Sequence, residues 1–268
     1  MSIYLGAGST AHKMSKLYVG VSGQARQVQK VYVGVGGQAR LVYQSGQPSG
    51  GPIGGLAVGS IVKIKVNGAS KDFIVVQQGN PNTSTYDSSC AGTWLLMKDI
   101  YTTSEFSSNN NSYKDSSIHS YLNSTFYNLI DSDIRAAIKQ VKIPYQNGTG
   151  KGGILATGSN GLSTKVFLLS GYEVGWTTSD KGYFPKDGVR LAYFGESSGG
   201  NSKRVAYNGS SAAIWWLRSP GTSSTVGVWC VKTDGSSSNL WYDSSYGVRP
   251  ALILPSTTLV DESGNVIG

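Results

Sequence analysis

The strongest constraint in this chain is a repeat. KLYVGVSGQARQVQ, Lys16 to Gln29, is followed without a gap by KVYVGVGGQARLVY, Lys30 to Tyr43, and 10 of the 14 aligned positions are identical. Each copy has an alternating run (Tyr18, Val19, Gly20, Val21 in the first), a turn at Ser22-Gly23 or Gly36-Gly37, and a return through Ala-Arg-x-Val. Alternation on both sides of a glycine turn predicts one β-hairpin per copy. A lone hairpin buries too little surface to hold itself together, so such a module needs a partner or self-association. Residues 1–45 are therefore expected to be an attachment or oligomerisation module without catalysis.

The repeat ends in GQPSGGPIGG, Gly46 to Gly55, which is nearly all Gly, Pro, Ser and Gln. Residues 46–56 read as a Gly/Pro linker, and the main domain is expected over 57–268. Charge divides the chain in nearly the same place. The net charge is +8 and the first acidic residue is Asp72; before it come Lys13, Lys16, Arg26, Lys30, Arg40, Lys63, Lys65 and Lys71. These cations are spaced and form no run. They read as a solvated face, and no nucleic-acid partner is expected. Only 14% of residues are charged while Gly numbers 36 and Tyr 16. That composition suits an extracellular or virion β-rich protein with a contact surface of Tyr, Ser, Gly and Asn.

MSIYLGAGST lacks a basic segment leading into an apolar run, so no signal peptide is read. No apolar run approaches the length of a membrane helix, and no membrane insertion is expected. Cys90 and Cys230 make no CxxC and no zinc spacing with His12 or His119; they read as two buried thiols or one long-range disulfide.

In the main domain, SIVKIKV and KDFIVVQQG read as strands joined at Asn67-Gly68, and TWLLMKDIY as another. Asp115 or Ser116 can cap SIHSYLNSTFYNLI, with Ile118, Leu122, Phe126 and Leu129 on one face. Asp131 or Ser132 can cap DIRAAIKQV, with Ile134, Ile138 and Val141 together. Short strands follow amid Gly/Ser/Asn loops: KVFLLS, RLAYF, AIWWLRS, GVWCVKT, NLWYD and VRPALILP, with a turn at Asp234-Gly235. The fold class is α+β, antiparallel strands around two short helices.

No nucleotide-binding, metalloprotease or serine-hydrolase motif occurs. His119 lies beside the apolar stripe of the first helix and reads as a hydrogen-bonded structural residue. The acids are scattered, and a glycosidase would need two of them opposed across a cleft. No cofactor and no metal is implied. Aromatic and small polar residues gather instead between Thr222 and Tyr246. Alternation in GVWCV sets Val228 and Cys230 against Gly227, Trp229 and Val231; in NLWYD it sets Leu240 and Tyr242 against Trp241. Trp229 and Trp241 can also be read as cover for the second face of the sheet.

IWWLRSPG, Ile214 to Gly221, reads as scaffold. One of Trp215 and Trp216 should fill the core and the other cap the opposite face. Pro220 should end the strand near Arg218-Ser219. Arg218 and Arg249 are expected to bond backbone carbonyls or a carboxylate such as Asp243.

LLMKDIY, YKDSSIHSYLNSTFYNLI, IRAAIKQVKIPY, KVFLLSGYEVG, IWWLRSPG and VRPALILP, in this order, resemble the phage and bacterial family DUF6273 over residues 57–255. That family resembles the C-type lectin fold in its formylglycine-generating-enzyme branch, which includes variable proteins of diversity-generating retroelements and phage tail receptor-binding proteins. The two cysteines do not match the copper-holding pair of the enzymes, and the main domain lacks the Glu-Pro-Asn or Gln-Pro-Asp loop of calcium lectins. The resemblance implies a non-enzymatic phage tail-tip adhesin, made in the host cytoplasm and carried on the virion. It implies a homotrimer bound to other tail or baseplate proteins through residues 1–45. The expected ligand, a bacterial surface protein or polysaccharide, meets Ser223, Ser224, Trp229, Asn239, Trp241, Tyr242, Asp243 and Tyr246. The alternatives are a glycan-degrading tail enzyme and a purely structural tail component.

Overall fold

The computed structural model describes residues 4–7, 10–13, 18–21, 24–28, 30–35, 38–44, 50–148, 153–176, 184–195, 201–221 and 225–267. Three hairpins open the chain. Tyr4–Ala7 pairs with Thr10–Lys13, Tyr18–Val21 with Gln24–Gln27, and Lys30–Val35 with Gln38–Gln44. The second and third are the two copies of the repeat. The first shares little sequence with them beyond Tyr4, Gly6 and Ala11, yet it has the same register. Gly6 faces Ala11, as Gly20 faces Ala25 and Gly34 faces Ala39.

Residues 50–56, expected as the end of the linker, are built into the body. Pro52 bridges to Leu259, the Ile53 N–H donates to Thr258 O (2.7 Å), and Val260 N–H donates to Gly51 O (3.0 Å). The Gln78 side chain donates to the carbonyls of Ile53 and Leu56. Buried Ile53 anchors this entry segment.

Two five-stranded sheets form the body. The first contains β1 (Ile61–Val66), β2 (Ala69–Gln78), β3 (Thr93–Met97), β5 (Val166–Phe167) and β10 (Ala251–Leu254), in the antiparallel order β5-β10-β3-β2-β1. The second contains β4 (Thr102–Glu105), β6 (Trp215–Pro220), β7 (Gly227–Val231), β8 (Ser237–Trp241) and β9 (Ser245–Val248), in the order β4-β9-β6-β7-β8. Among the described strand pairs of these two sheets, only β9–β6 is parallel. The Asn67-Gly68 turn joins β1 to β2 with φ of 50° and 72°, left-handed values that Asn and Gly tolerate best.

The chain passes between the sheets four times, and the first and last of these crossovers are adjacent. It leaves the first sheet after Met97 to enter β4, and returns from β9 to β10 at Arg249-Pro250. The two crossovers bond side by side: Met97 N–H to Pro250 O (2.8 Å) and Tyr101 N–H to Val248 O (2.9 Å). VRPALILP, expected as one closing strand, is therefore split between two sheets. β6 runs through Pro220, beyond its expected end, because its register shifts between Trp216 and Pro220; such a bulge accommodates a residue with no N–H to donate. RLAYF is a loop. β2 has its own register shift between Val75 and Gln77, and this leaves Val76 O to accept from Tyr193 N–H (3.0 Å) and the Gln77 side chain to accept from Ala192 N–H (2.9 Å).

The first helical segment falls where expected; the second is shorter than DIRAAIKQV, because the backbone turns extended at Ile138 and Val141 opens the short strand Val141–Ile143 instead of completing a helical face. Ser116 caps Ser117–Tyr121, its hydroxyl accepting from His119 N–H. A π-helical turn, Leu122–Phe126, continues it into Tyr127–Leu129. Asp131 caps Ser132–Ala137. Ile118, Leu122 and Phe126 form the buried stripe, and Asn123 reaches β5, donating to Val166 O and accepting from Lys165 and Val166 N–H. The body is mostly β with short helices, compatible with an α+β class. β3, β6, β7 and β10 are buried along their whole lengths. GVWCV thus has cover on both faces instead of one.

Candidate ligand-binding face

The site is framed by IWWLRSPG. Trp215 and Trp216 are both fully buried, on opposite faces of β6. The Trp215 indole donates to Arg204 O (2.9 Å) and lies under the Arg249 guanidinium (4.8 Å). The Trp216 indole donates to Ser104 O (3.0 Å) and meets Phe106 and Tyr246 edge-on.

Arg218 is the centre of a buried polar knot. Its two terminal nitrogens bond both oxygens of Glu173 (2.5 and 2.7 Å) in a fork, and it also donates to Pro144 O, Leu168 O and Asp187 O. Tyr86 donates its hydroxyl to Glu173 (2.7 Å), and Ser219 donates its own to Asp187 Oδ2 (2.7 Å). The expectation of carbonyl and carboxylate partners holds, but the carboxylate is Glu173; Asp243 is exposed. Burial works against the Arg218 charge, and the Glu173 carboxylate more than offsets it, so its pKa is raised. Burial pushes the Tyr86 phenol well up, with Glu173 adding to the effect, and pushes Asp187 up to about 7 against the pull of Arg218. Gly188 lets its loop approach, since a Cβ there would lie 2.8 Å from the hydroxyls of Ser170 and Tyr86. The sequence marked Arg218 and left its partners unassigned. Glu173 lies in the family-like segment KVFLLSGYEVG, whereas nothing in PKDG singled out Asp187.

Arg249 holds the crossovers. It donates to Met97 O (2.8 Å) and Lys98 O (2.9 Å), and burial pulls its guanidinium down to about 10.

The β7–β8 hairpin carries the expected contact residues. Its register pairs Gly227 with Trp241 and Trp229 with Asn239, which places Trp229, Asn239 and Trp241 on one face. Trp241 stands out, 66% exposed. Trp229 is 7% exposed and stacks on Phe184 at 4.0 Å; Phe184 stacks in turn on Trp176, under Arg204. The Asn239 side chain lies on the backbone of Gly221 and Gly227, where a Cβ would sit 2.3 and 1.9 Å from it. Tyr242 and Leu240 pack on the core, on the side opposite Trp241. Asp243 is exposed in the turn to β9, and Tyr246 is half-buried against Trp216. Ser223 and Ser224 lie outside the described residues. The structure thus joins Trp229, Asn239 and Trp241 in one face and leaves Tyr242 and Tyr246 as its supports.

Away from this face, an open groove of about 380 Å³ follows the crossover, lined by Lys71, Asp72, Lys98, Asp99, Tyr101 and Tyr207 among others. Lys98 pairs with Asp72 at 3.7 Å. His119 Nδ1 donates to Lys114 O (3.2 Å), and the ring meets Tyr113 edge-on and is held below its usual pKa by burial. Cys90 and Cys230 are buried free thiols, each pushed up to about 12 by burial. Among the described residues no three His, Cys, Asp or Glu side chains cluster to hold a metal, and no helix is long and apolar enough to cross a membrane.

Fold and face together define a two-sheet, mostly β domain that displays an aromatic-polar hairpin from a rigid frame. The chain belongs to the family described as domain of unknown function DUF6273, whose model matches residues 91–256. No curated protein and no solved structure matches it.

Proposed function

We propose that the body is the ligand-binding head of a phage tail-tip adhesin, a binding protein with a C-type lectin-like fold that recognises a bacterial surface protein or polysaccharide. The observation that carries this reading is Trp241. A large aromatic is held 66% exposed on an edge strand, beside Asn239 and Asp243, with no core role. A rigid ring next to small polar groups gives contact area at little entropic cost. Residues 1–45 attach the head to the tail, and several heads engaging together gain avidity from weak single contacts.

The test is adsorption of the full chain to bacterial cells and to their purified polysaccharides. Trp241→Ala is expected to lower binding at least roughly tenfold, as loss of an aromatic hot spot does, while thermal unfolding stays unchanged. Unaltered adsorption by that variant sinks the assignment.

A further inference from the structure

The unexpected first hairpin turns a two-copy repeat into an array of three. Tyr4, Gly6 and Ala11 hold the register positions of Tyr18, Gly20 and Ala25, and of Tyr32, Gly34 and Ala39. The position opposite Leu5, Val19 and Val33 is taken by His12, Arg26 and Arg40. The period is 14 residues throughout. Residues 1–45 carry Lys13, Lys16, Arg26, Lys30 and Arg40 and no acidic residue.

Two physical needs follow. Each hairpin is a two-stranded sheet that joins no third strand among the described residues, so its outer edges present backbone N–H and C=O groups to be paired. In the second hairpin the neighbours Tyr18 and Val19 are 52% and 50% exposed. Adjacent strand residues point to opposite faces, so neither face is covered. Further copies of the same segment could pair the edges, but they would bring like charges together with no acid to offset them. Charge therefore favours an acidic partner. Open strand edges favour a polypeptide over a polyanion without a backbone to pair.

We propose that residues 4–44 form a three-site docking strip that binds an acidic protein surface by strand addition, one site per 14-residue repeat. This rests on the reading of residues 1–45 as an attachment module and is independent of the ligand bound by the head. The trimer implied by the family resemblance would then be gathered by the acidic partner, not by repeat-to-repeat contact.

The probe is an alternating Glu-Val peptide, titrated against the full chain at several salt concentrations. Deleting residues 16–29 removes one whole period and rejoins the flanking hairpins. It is expected to weaken peptide binding by roughly tenfold or more, as loss of one site in a multivalent set does, and to lower the salt dependence. Arg26→Gln with Arg40→Gln should do the same at unchanged length. Adsorption to bacterial cells and the unfolding temperature of the body are measured in parallel. Their retention separates failure of the strip from failure of the head. Equal binding of a proline-interrupted peptide of the same charge overturns strand addition, and tighter binding of duplex DNA overturns the protein partner. A wild-type oligomer that ignores the peptide and dissociates on the deletion overturns the proposal in favour of self-association.

Discussion

Arg218 and Arg249 are both fully buried, and each ties one sheet to the other, yet they are held by opposite means. Arg218, in β6, has a carboxylate in a forked pair and three backbone carbonyls beside it. Arg249, at the β9–β10 crossover, has two carbonyls and the face of Trp215, and its Nη1 has no hydrogen-bond partner among the described residues. Burial presses on both charges. Only at Arg218 does an opposite charge reverse the effect, which is why one guanidinium is raised and the other lowered. A buried cation can thus be tolerated by compensation or by placing it on backbone dipoles. The first arrangement fails when its partner is lost; the second depends on the crossover keeping its shape.

The largest expected effect comes from removing compensation at one junction. Glu173→Ala leaves Arg218 buried beside a vacancy and is expected to destabilise the body by about 3–5 kcal/mol in urea unfolding. Replacing both members by methionine should recover much of that loss, since a well-packed apolar pair can match a buried ion pair. If the double variant is no better than Glu173→Ala, the pair is not the source of the instability.

Protonation separates the two junctions next. Asp187 sits beside Arg218 and Glu173 with Oδ1 unbonded among the described residues, and burial raises its pKa to about 7. An unfolded Asp titrates near about 3.9. The folded state therefore binds the extra proton between these values, and stability falls as pH rises from about 4 to about 7. A gap of about three units sets an upper limit of roughly 4 kcal/mol. Asp187→Asn should flatten urea midpoints measured at pH 5, 6 and 8. An unchanged slope would mean that another group carries the dependence.

Arg249→Met is expected to cost less, about 1–3 kcal/mol, because it strands the carbonyls of Met97 and Lys98 without leaving a bare charge. Its effect should also be independent of Glu173, additive within about 0.5 kcal/mol in a double-mutant cycle. Strong coupling would show that the two junctions act as one.

Much of this frame was legible in IWWLRSPG and VRPALILP. Two indoles side by side had to face opposite ways, and two arginines near strand ends needed carbonyl or carboxylate partners. Asn67-Gly68, Ser116 and Asp131 announced their turn and caps by side-chain chemistry alone. What stayed hidden depends on long-range pairing. Glu173 is 45 residues from Arg218, and no local period links them. The split of VRPALILP between sheets reflects the neighbouring crossover at Met97, which Pro250 marks but does not explain. The first hairpin escaped notice because its register survives where its sequence does not. For the contact residues, alternation separated Trp241 from Leu240 and Tyr242 correctly. It could not say that Phe184, from a loop with no strand pattern, covers Trp229.

The smallest stability effect belongs to the residue on which the proposed function rests most. Trp241 lies on the same face as Trp229, but no ring stacks on it among the described residues, and its strand is the outer one of its sheet. Substituting an exposed residue away from caps, cores and charge networks changes stability by less than about 0.5 kcal/mol. Trp241→Ala should therefore unfold with wild-type midpoint in urea, in contrast to every change at the arginine junctions, while losing adsorption to cells. A stability loss comparable to that of Arg249→Met would make Trp241 part of the frame. Its exposure would then no longer argue for a ligand, and the loss of adsorption would follow from the fold.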